Sequence, residues 1–279
     1  MKTHPGIELA NLSDVGCERT ENEDNLCYAE PESDEEYLKR GRLVVVADGM
    51  GGHEGGQVAS QLAVDAVREV FLNSAYSDPT DALVTAYQAA HNSIHEHVHD
   101  HPELTGMGTT CTSAVLRAGQ LTYGHVGDSR LYLLRDGAIK QLTRDHSYVQ
   151  QMIDKGVISA EEAKTHPSRN ILTSALGSDS AIEADFAEAP IPMQPGDILL
   201  LCTDGLHGLV TDEEMLALSS RQPPTGACRE LVEMAKARGG FDNITVQILR
   251  FDGDGDRAGT GASAENRESN RGSRKTAIE

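Results

Sequence analysis

The sequence predicts an α/β chain of the α+β kind, with antiparallel sheets flanked by helices. Three observations point there. Short β-branched and leucine-rich runs follow one another closely between residues 111 and 142, and Asp136-Gly137 marks a tight turn between the last two. Runs this close in sequence pair antiparallel, because a parallel crossover needs a dozen residues or more. Two long segments, 54–72 and 81–98, instead repeat apolar residues at helical spacing. Two capping boxes, Ser159-Ala-Glu-Glu162 and Thr211-Asp-Glu-Glu214, announce further helices.

Taken in order, 43–47 is an uninterrupted Leu-Val-Val-Val-Ala run ending at Asp48, the pattern of a buried strand. In 54–72 the apolar positions 58, 59, 62, 63, 66, 67, 70 and 71 fall on one helical face. After Pro79 a second helix covers about 81–98, with Leu83, Ala86, Tyr87, Ala90 and Ile94 inward. Strands are expected at 111–116, 120–125, 130–134 and 139–142. From 143 to about 185 the pattern changes. A short helix near 148–155, the first capping box and the polar run His166-Pro-Ser-Arg-Asn read as an inserted helical flap. Pro190, Pro192 and Pro195-Gly196 lead into a strand at 197–202, and a helix to about 219 follows the second capping box. A helix over about 227–238 ends at Gly239-Gly240, a plausible C-cap, and 244–251 is the last strand. Residues 1–251 are read as one domain. From Asp252 the composition offers nothing to bury, so 252–279 is expected to be a disordered polar tail.

Composition narrows the classes. The chain has 279 residues, 38% of them hydrophobic and 24% charged, which fits a soluble globular protein. Trp is absent, so the core rests on Leu, Val, Ile and Ala. No apolar run approaches the roughly 18–20 residues of a membrane helix, and the N-terminus lacks an apolar signal core. Five scattered cysteines without Cys-x-x-Cys argue against a disulfide framework and a zinc knuckle, and for a reducing cytoplasm. The net charge is −20; the tail holds six acids and five bases, leaving about −19 on the body. Such a field disfavours nucleic acid and anionic membrane. It also repels phosphorylated substrates unless metals and local arginines reverse the sign inside a cleft.

Five acids stand in distinct settings: Glu23 and Asp24 in Asn-Glu-Asp, Asp48 in Ala-Asp-Gly-Met, Asp128 in Gly-Asp-Ser-Arg and Asp204 in Thr-Asp-Gly. A sixth, Asp242, lies in Phe-Asp-Asn-Ile-Thr. Several adjoin a β-type run or a glycine, where a chain leaving a strand turns its carboxylates inward. Gathered carboxylates repel one another unless cations neutralise them, and hard divalent ions such as Mg²⁺ and Mn²⁺ suit all-oxygen ligation. The reading is a multi-metal hydrolytic site. Taken singly, Asp48 and Asp204 also suit turn formation before glycine, and Arg19 suits a surface ion pair.

Six motifs occur in order over roughly residues 7–250. They are Ser13-Asp-Val-Gly-Cys-Glu-Arg19-Thr-Glu-Asn-Glu23-Asp24, Val46-Ala-Asp48-Gly49-Met-Gly-Gly-His, Gly108-Thr-Thr, Gly127-Asp128-Ser-Arg130, Cys202-Thr-Asp204-Gly-Leu and Asp242-Asn243-Ile-Thr. This set resembles the metal-dependent serine/threonine protein phosphatases of type 2C, the PPM family. Met after Asp-Gly resembles its bacterial branch. The resemblance implies a four-layer αββα sandwich: two packed antiparallel sheets, helices outside, metals at one edge and the flap of about 143–185 beside them. It implies two or three Mn²⁺ or Mg²⁺ ions. Asp48 would bridge two ions, with the Gly49 carbonyl on one of them. Glu23, Asp204 and Asp242 would hold the pair directly or through waters, Asp24 would orient metal-bound water, and Asp128 would join Asp204 at a weaker third ion. A metal-bridging hydroxide would attack phosphorus in line. Arg19 would grip the phosphate, since a guanidinium matches two phosphate oxygens. The implied reaction is hydrolysis of phosphoserine or phosphothreonine on proteins, reversing a cognate Ser/Thr kinase, by a cytoplasmic monomer.

The general acid is unassigned. Met50 stands where eukaryotic members often carry His, and it cannot donate a proton. His53 lies three residues on and equally suits a backbone hydrogen bond that fixes the loop, and a metal-bound water is a further donor. His91, His95, His97, His99 and His101 form i, i+4 pairs able to chelate Zn²⁺, but an exposed polar helix end is the preferred reading. The glycines at 51, 52, 55 and 56 lack a Walker pattern and read as turn residues. No Ser–His–Asp motif supports a covalent nucleophile. Two alternatives share the core motifs: a hydrolase dedicated to one phosphoprotein, and a phosphoprotein-binding pseudophosphatase. Retention of every metal carboxylate and of Arg19 argues against the second.

Overall fold

The computed structural model describes residues 4–51, 55–73, 75–76, 78–178 and 182–253. His53 and all but the first two residues of the 252–279 tail lie outside them. The chain begins with β1 (Ile7–Asp14), β2 (Asp24–Ala29), α1 (Asp34–Arg40), β3 (Arg42–Met50), α2 (Gly55–Asn73) and α3 (Pro79–Asp100). There follow β4 (Gly108–Thr109), β5 (Cys111–Arg117), β6 (Gln120–Val126), β7 (Arg130–Arg135), β8 (Ala138–Gln141), α4 (Tyr148–Asp154) and α5 (Ala160–Lys164). It ends with β9 (Asp185–Phe186), β10 (Ile191–Pro192), β11 (Ile198–Cys202), α6 (Asp204–His207), α7 (Asp212–Arg221), α8 (Pro224–Ala237) and β12 (Ile244–Phe251).

One sheet runs β1-β12-β11-β7-β8; the other runs β10-β6-β5-β3-β2, with β4 on β3 and β9 on β6. The pairings are antiparallel. The period-2 geometry of a strand explains the layers. In β3, Leu43, Val45 and Ala47 pack on α2 and α3, while Val44 and Val46 turn to the opposite sheet. In β11, Leu199 and Leu201 meet them between the sheets, while Ile198, Leu200 and Cys202 face the layer of α7 and α8. Both faces are buried, so these strands read as continuous apolar runs rather than alternating ones. The result is the expected αββα sandwich.

Local chemistry sets the element ends. Both capping boxes form, and Asp136 and Gly137 adopt positive φ of 52° and 74°, as a two-residue hairpin requires. Asp78 caps α3 at Thr80. Several elements were not anticipated: β1, β2 and α1, the two-residue strands β4, β9 and β10, and the single turn α6. Strands β1 and β2 are sheet edges, half-exposed and carrying Glu8, Asn11, Asp24 and Asn25, so their apolar pattern is weak. The segment 143–185 carries α4 and α5 and docks by the Thr109–Leu176 bridge, with N–H···O distances of 3.0 and 2.9 Å. His91 and His95 are half-buried, unlike the exposed helix end expected. The Gly177 N–H donates to His91 Nδ1 at 3.1 Å, and His95 Nε2 lies 3.2 Å from the Ser178 carbonyl, so they tie α3 to the end of the flap.

Candidate active site

Strand register brings the acids to one end of the sandwich. Asp24 opens β2 and Asp48 lies near the end of β3, and the two are direct cross-strand partners. In the facing sheet, Cys202 pairs with Arg130 and Val246. Asp204 just past β11, Asp128 just before β7 and Asp242 just before β12 therefore leave the same end. Glu23 precedes β2, and Arg19 stands at the rim with 48% of its side chain exposed.

The sheet hydrogen bonds end in side-chain staples that aim the carboxylates. The Asp48 N–H donates to Thr110 Oγ1 at 2.8 Å, and its carbonyl accepts from the Thr109 hydroxyl at 2.9 Å. The Thr203 hydroxyl donates to Asp24 Oδ2 at 2.9 Å and accepts from the Thr245 N–H at 3.1 Å. Asn243 Oδ1 accepts from the Glu23 N–H at 2.8 Å, and its amide donates to the Val15 and Glu21 carbonyls. The Asn243 side chain thus holds the Arg19–Glu23 loop against the start of β12. The Gly49 N–H donates to the Glu23 carbonyl at 3.2 Å. A Cβ on Gly49 would come within 2.0 Å of the Gly56 carbonyl oxygen, so only glycine lets these backbones meet.

Electrostatics shows what this convergence costs. Burial, opposed by hydroxyls from Thr245 and Thr203 and reinforced by Asp204 and Asp242, pushes the Asp24 carboxyl up to about 7. Burial and Asp242 raise Asp204 to about 6 against the pull of Arg19 and Arg169. Burial and neighbouring carboxylates hold Asp48 and Asp128 well above the usual range. Arg19 Nη2 lies 2.8 Å from Asp242 Oδ2, and Nη1 lies 3.9 Å from Glu23 Oε2.

This donor set fits hard divalent cations. It is all oxygen, it carries excess negative charge, and Asp24 Oδ1 is buried without a hydrogen-bond partner. Among the described residues no three His, Cys, Asp or Glu side chains close into a cage. The residues implied by sequence at this end, Glu23, Asp24, Asp48, Gly49, Asp128, Asp204, Asp242 and Arg19, are brought together. Met50 packs against Gly108. Sequence reasoning had assigned no role to Thr203, Thr245, Asn243, Arg169 or His207. Thr203, Asn243 and Thr245 lie inside the motifs beside Asp204 and Asp242, whereas no motif marked His207 or Arg169.

The comparisons agree with this architecture. The chain matches the protein phosphatase 2C family over residues 34–239. It is 37% identical over 243 residues to the serine/threonine protein phosphatase PstP of Mycobacterium tuberculosis, covering 87% of this chain and 44% of that protein. It is 38% identical over 251 residues to the serine/threonine phosphatase stp of Listeria monocytogenes, covering 86% and 94%. The solved catalytic domain of PstP in complex with two manganese ions shares the fold at a TM-score of 0.76 and 34% identity, over 88% of this chain and 98% of that one. The chain belongs to the protein phosphatase 2C family. It spans less than half the length of the M. tuberculosis relative and nearly all of the Listeria one.

Proposed function

We propose that this chain hydrolyses phosphoserine and phosphothreonine esters on proteins with two or three Mn²⁺ or Mg²⁺ ions, reversing a Ser/Thr kinase. The observation that carries the reading is the convergence of Asp24 and Asp48 from one sheet with Asp128, Asp204 and Asp242 from the other, with Arg19 at the rim. Support for the metal comes from the two manganese ions of the PstP structure. Residues 1–251 serve as one catalytic domain, with the 143–185 flap beside the site. Among the described residues no helix is long and apolar enough to cross a membrane; a cytoplasmic monomer acting on phosphoproteins, not nucleic acid, is the companion proposal.

Asp48, Glu23, Asp204, Asp242 and the Gly49 carbonyl would hold the tighter ions, and Asp128 with Asp204 would hold a weaker third one. When bound, the ions supply an acidified water and counter-charge for the phosphoryl group. Asp24, fixed by Thr203, orients the attacking water. Arg19 would present its planar fork to two phosphoryl oxygens, and Arg169 of the flap adds positive charge that is felt by Asp204. Met50 donates no proton to the leaving alkoxide.

Arg19→Ala is expected to lower kcat/KM on a phosphothreonine peptide roughly 10–100-fold, mostly through KM, as loss of a charge-assisted hydrogen bond dictates. Arg19→Lys is expected to recover little of it, because an ammonium cannot make the bidentate contact. Unchanged kinetics in both variants would reduce Arg19 to a surface partner of Asp242.

A further inference from the structure

The carboxylates of Asp128, on the loop before β7, and Asp204, at the start of α6, lie beyond the strand pairing of β7 and β11. The β7–β11 ladder ends at the Arg130–Cys202 pair, and each acid lies two residues beyond it, on opposite strands. Among the described residues one hydrogen bond joins the two loops: His207 Nε2 to the Asp128 carbonyl, at 2.9 Å. His207 is the last residue of α6, the helical turn that begins with Asp204. We infer that His207 is a positioning residue that sets the gap between Asp128 and Asp204.

A carbonyl only accepts, so Nε2 carries a ring proton. The ring therefore acts as a directional strut between α6 and the Asp128 loop. The far side of that loop is braced independently. The His146 N–H donates to the Gly127 carbonyl at 2.7 Å, the Gly127 N–H donates to His146 Nδ1 at 3.3 Å, and Thr110 and Ser129 share a hydroxyl contact of 2.7 Å. Loss of the strut then removes the tie between α6 and the Asp128 loop, while α6 keeps its Thr203–Thr245 hydrogen bonds and its buried Leu206 and the loop keeps His146 and Thr110. Asp48 keeps its bonds to Thr109 and Thr110, and Asp242 keeps the bond its Oδ1 accepts from the Asn243 N–H at 2.8 Å, so the tighter ions are expected to feel little of the change. The weaker ion between Asp128 and Asp204 is expected to feel most of it.

The inference rests on the phosphatase reading. The test compares the full chain with His207→Phe, which keeps a ring but removes the donor, and His207→Gln, which restores an N–H donor. Mn²⁺ binding is followed by calorimetry and turnover of a phosphothreonine peptide as a function of Mn²⁺. His207→Phe is expected to weaken the low-affinity Mn²⁺ class about tenfold, the usual scale for an outer residue that orients a ligand, with the tight class unchanged. His207→Gln is expected to restore most of the parent behaviour. In the metal-free parent, imidazole ¹⁵N spectra are expected to show His207 protonated at Nε2. A Phe titration that superimposes on the parent, a parent with no weaker class, or equal weakening of every class in both variants each overturns the inference. Absence of turnover in the parent contradicts the phosphatase reading instead, and the calorimetric titration still decides the role of His207.

Discussion

Asp48→Asn is expected to lower metal-dependent turnover roughly a thousandfold or more while making the metal-free protein more stable. The first effect follows from its place. Residues that merely orient a ligand change metal affinity 10–100-fold, and in the proposed site Asp48 would hold the metal directly. The second follows from its surroundings. Burial and the charges of Asp24, Asp204, Asp128 and Asp242 all oppose its ionisation. Asn keeps the shape and removes the charge. A site assembled for cations is destabilising without them, the familiar opposition of stability and activity. Peptide hydrolysis with Mn²⁺ and a thermal melt in EDTA check both halves. A variant that melts lower than the parent in EDTA would mean that Asp48 is stabilised in the metal-free fold, contrary to the geometry.

Asp24→Asn in metal-free protein is expected to show a stability gain that grows with pH. The folded carboxyl ionises at about 7 against an ordinary 3.8. Between those values the folded state holds a proton that the unfolded state has released. The contribution of Asp24 is therefore fully present below pH 4 and is lost as pH rises through 7. Three units correspond to about 4 kcal/mol, so the variant and parent should agree near pH 4 and differ by a few kcal/mol at pH 8. His125 and His207, whose burial holds them at about 4 and about 3, act in the opposite direction. Their effect cancels in the difference between the two proteins. Mn²⁺ should erase the difference from the other side. Its binding needs deprotonated ligands, and at a hundred times Kd one ion adds about 2.7 kcal/mol. The shift in Tm with Mn²⁺ is thus expected to be small at pH 5 and several degrees at pH 8. Denaturant titrations of both proteins in EDTA and Mn²⁺ at several pH values provide the check. A pH-independent difference would place Asp24 in water rather than in the carboxylate cluster.

Much of the fold was legible because its elements are locally consistent. The helical periodicities of α2 and α3, the capping boxes of α5 and α7 and the Asp136-Gly137 turn are each fixed by near neighbours. The edge strands β1 and β2 were not, because their pairing energy comes from β12 and β3, distant in sequence. The run at Leu43–Ala47 showed burial but not which face met helices and which met the second sheet. The site divides in the same way. Each acid carried its own short motif. The partners of the groups that aim them were not legible: Asn243 reaches Glu21 across 222 positions, and Thr203 reaches Asp24 across 179. His207 bridges to a carbonyl 79 residues away, and no local pattern marks such a contact. His91 and His95 looked like chelators by spacing; their rings meet each other at 3.1 Å and also meet backbone groups of the flap.

Hydrolysis of a phosphothreonine peptide by the full chain, measured with Mn²⁺, with EDTA and in Asp204→Asn, tests the central claim most directly. The acidic end predicts turnover with Mn²⁺ that is lost in EDTA and lost again in the folded variant. Turnover that survives EDTA would contradict a metal-dependent site. A folded chain that binds the phosphopeptide but turns over under no metal would make it a binding protein built on a phosphatase frame.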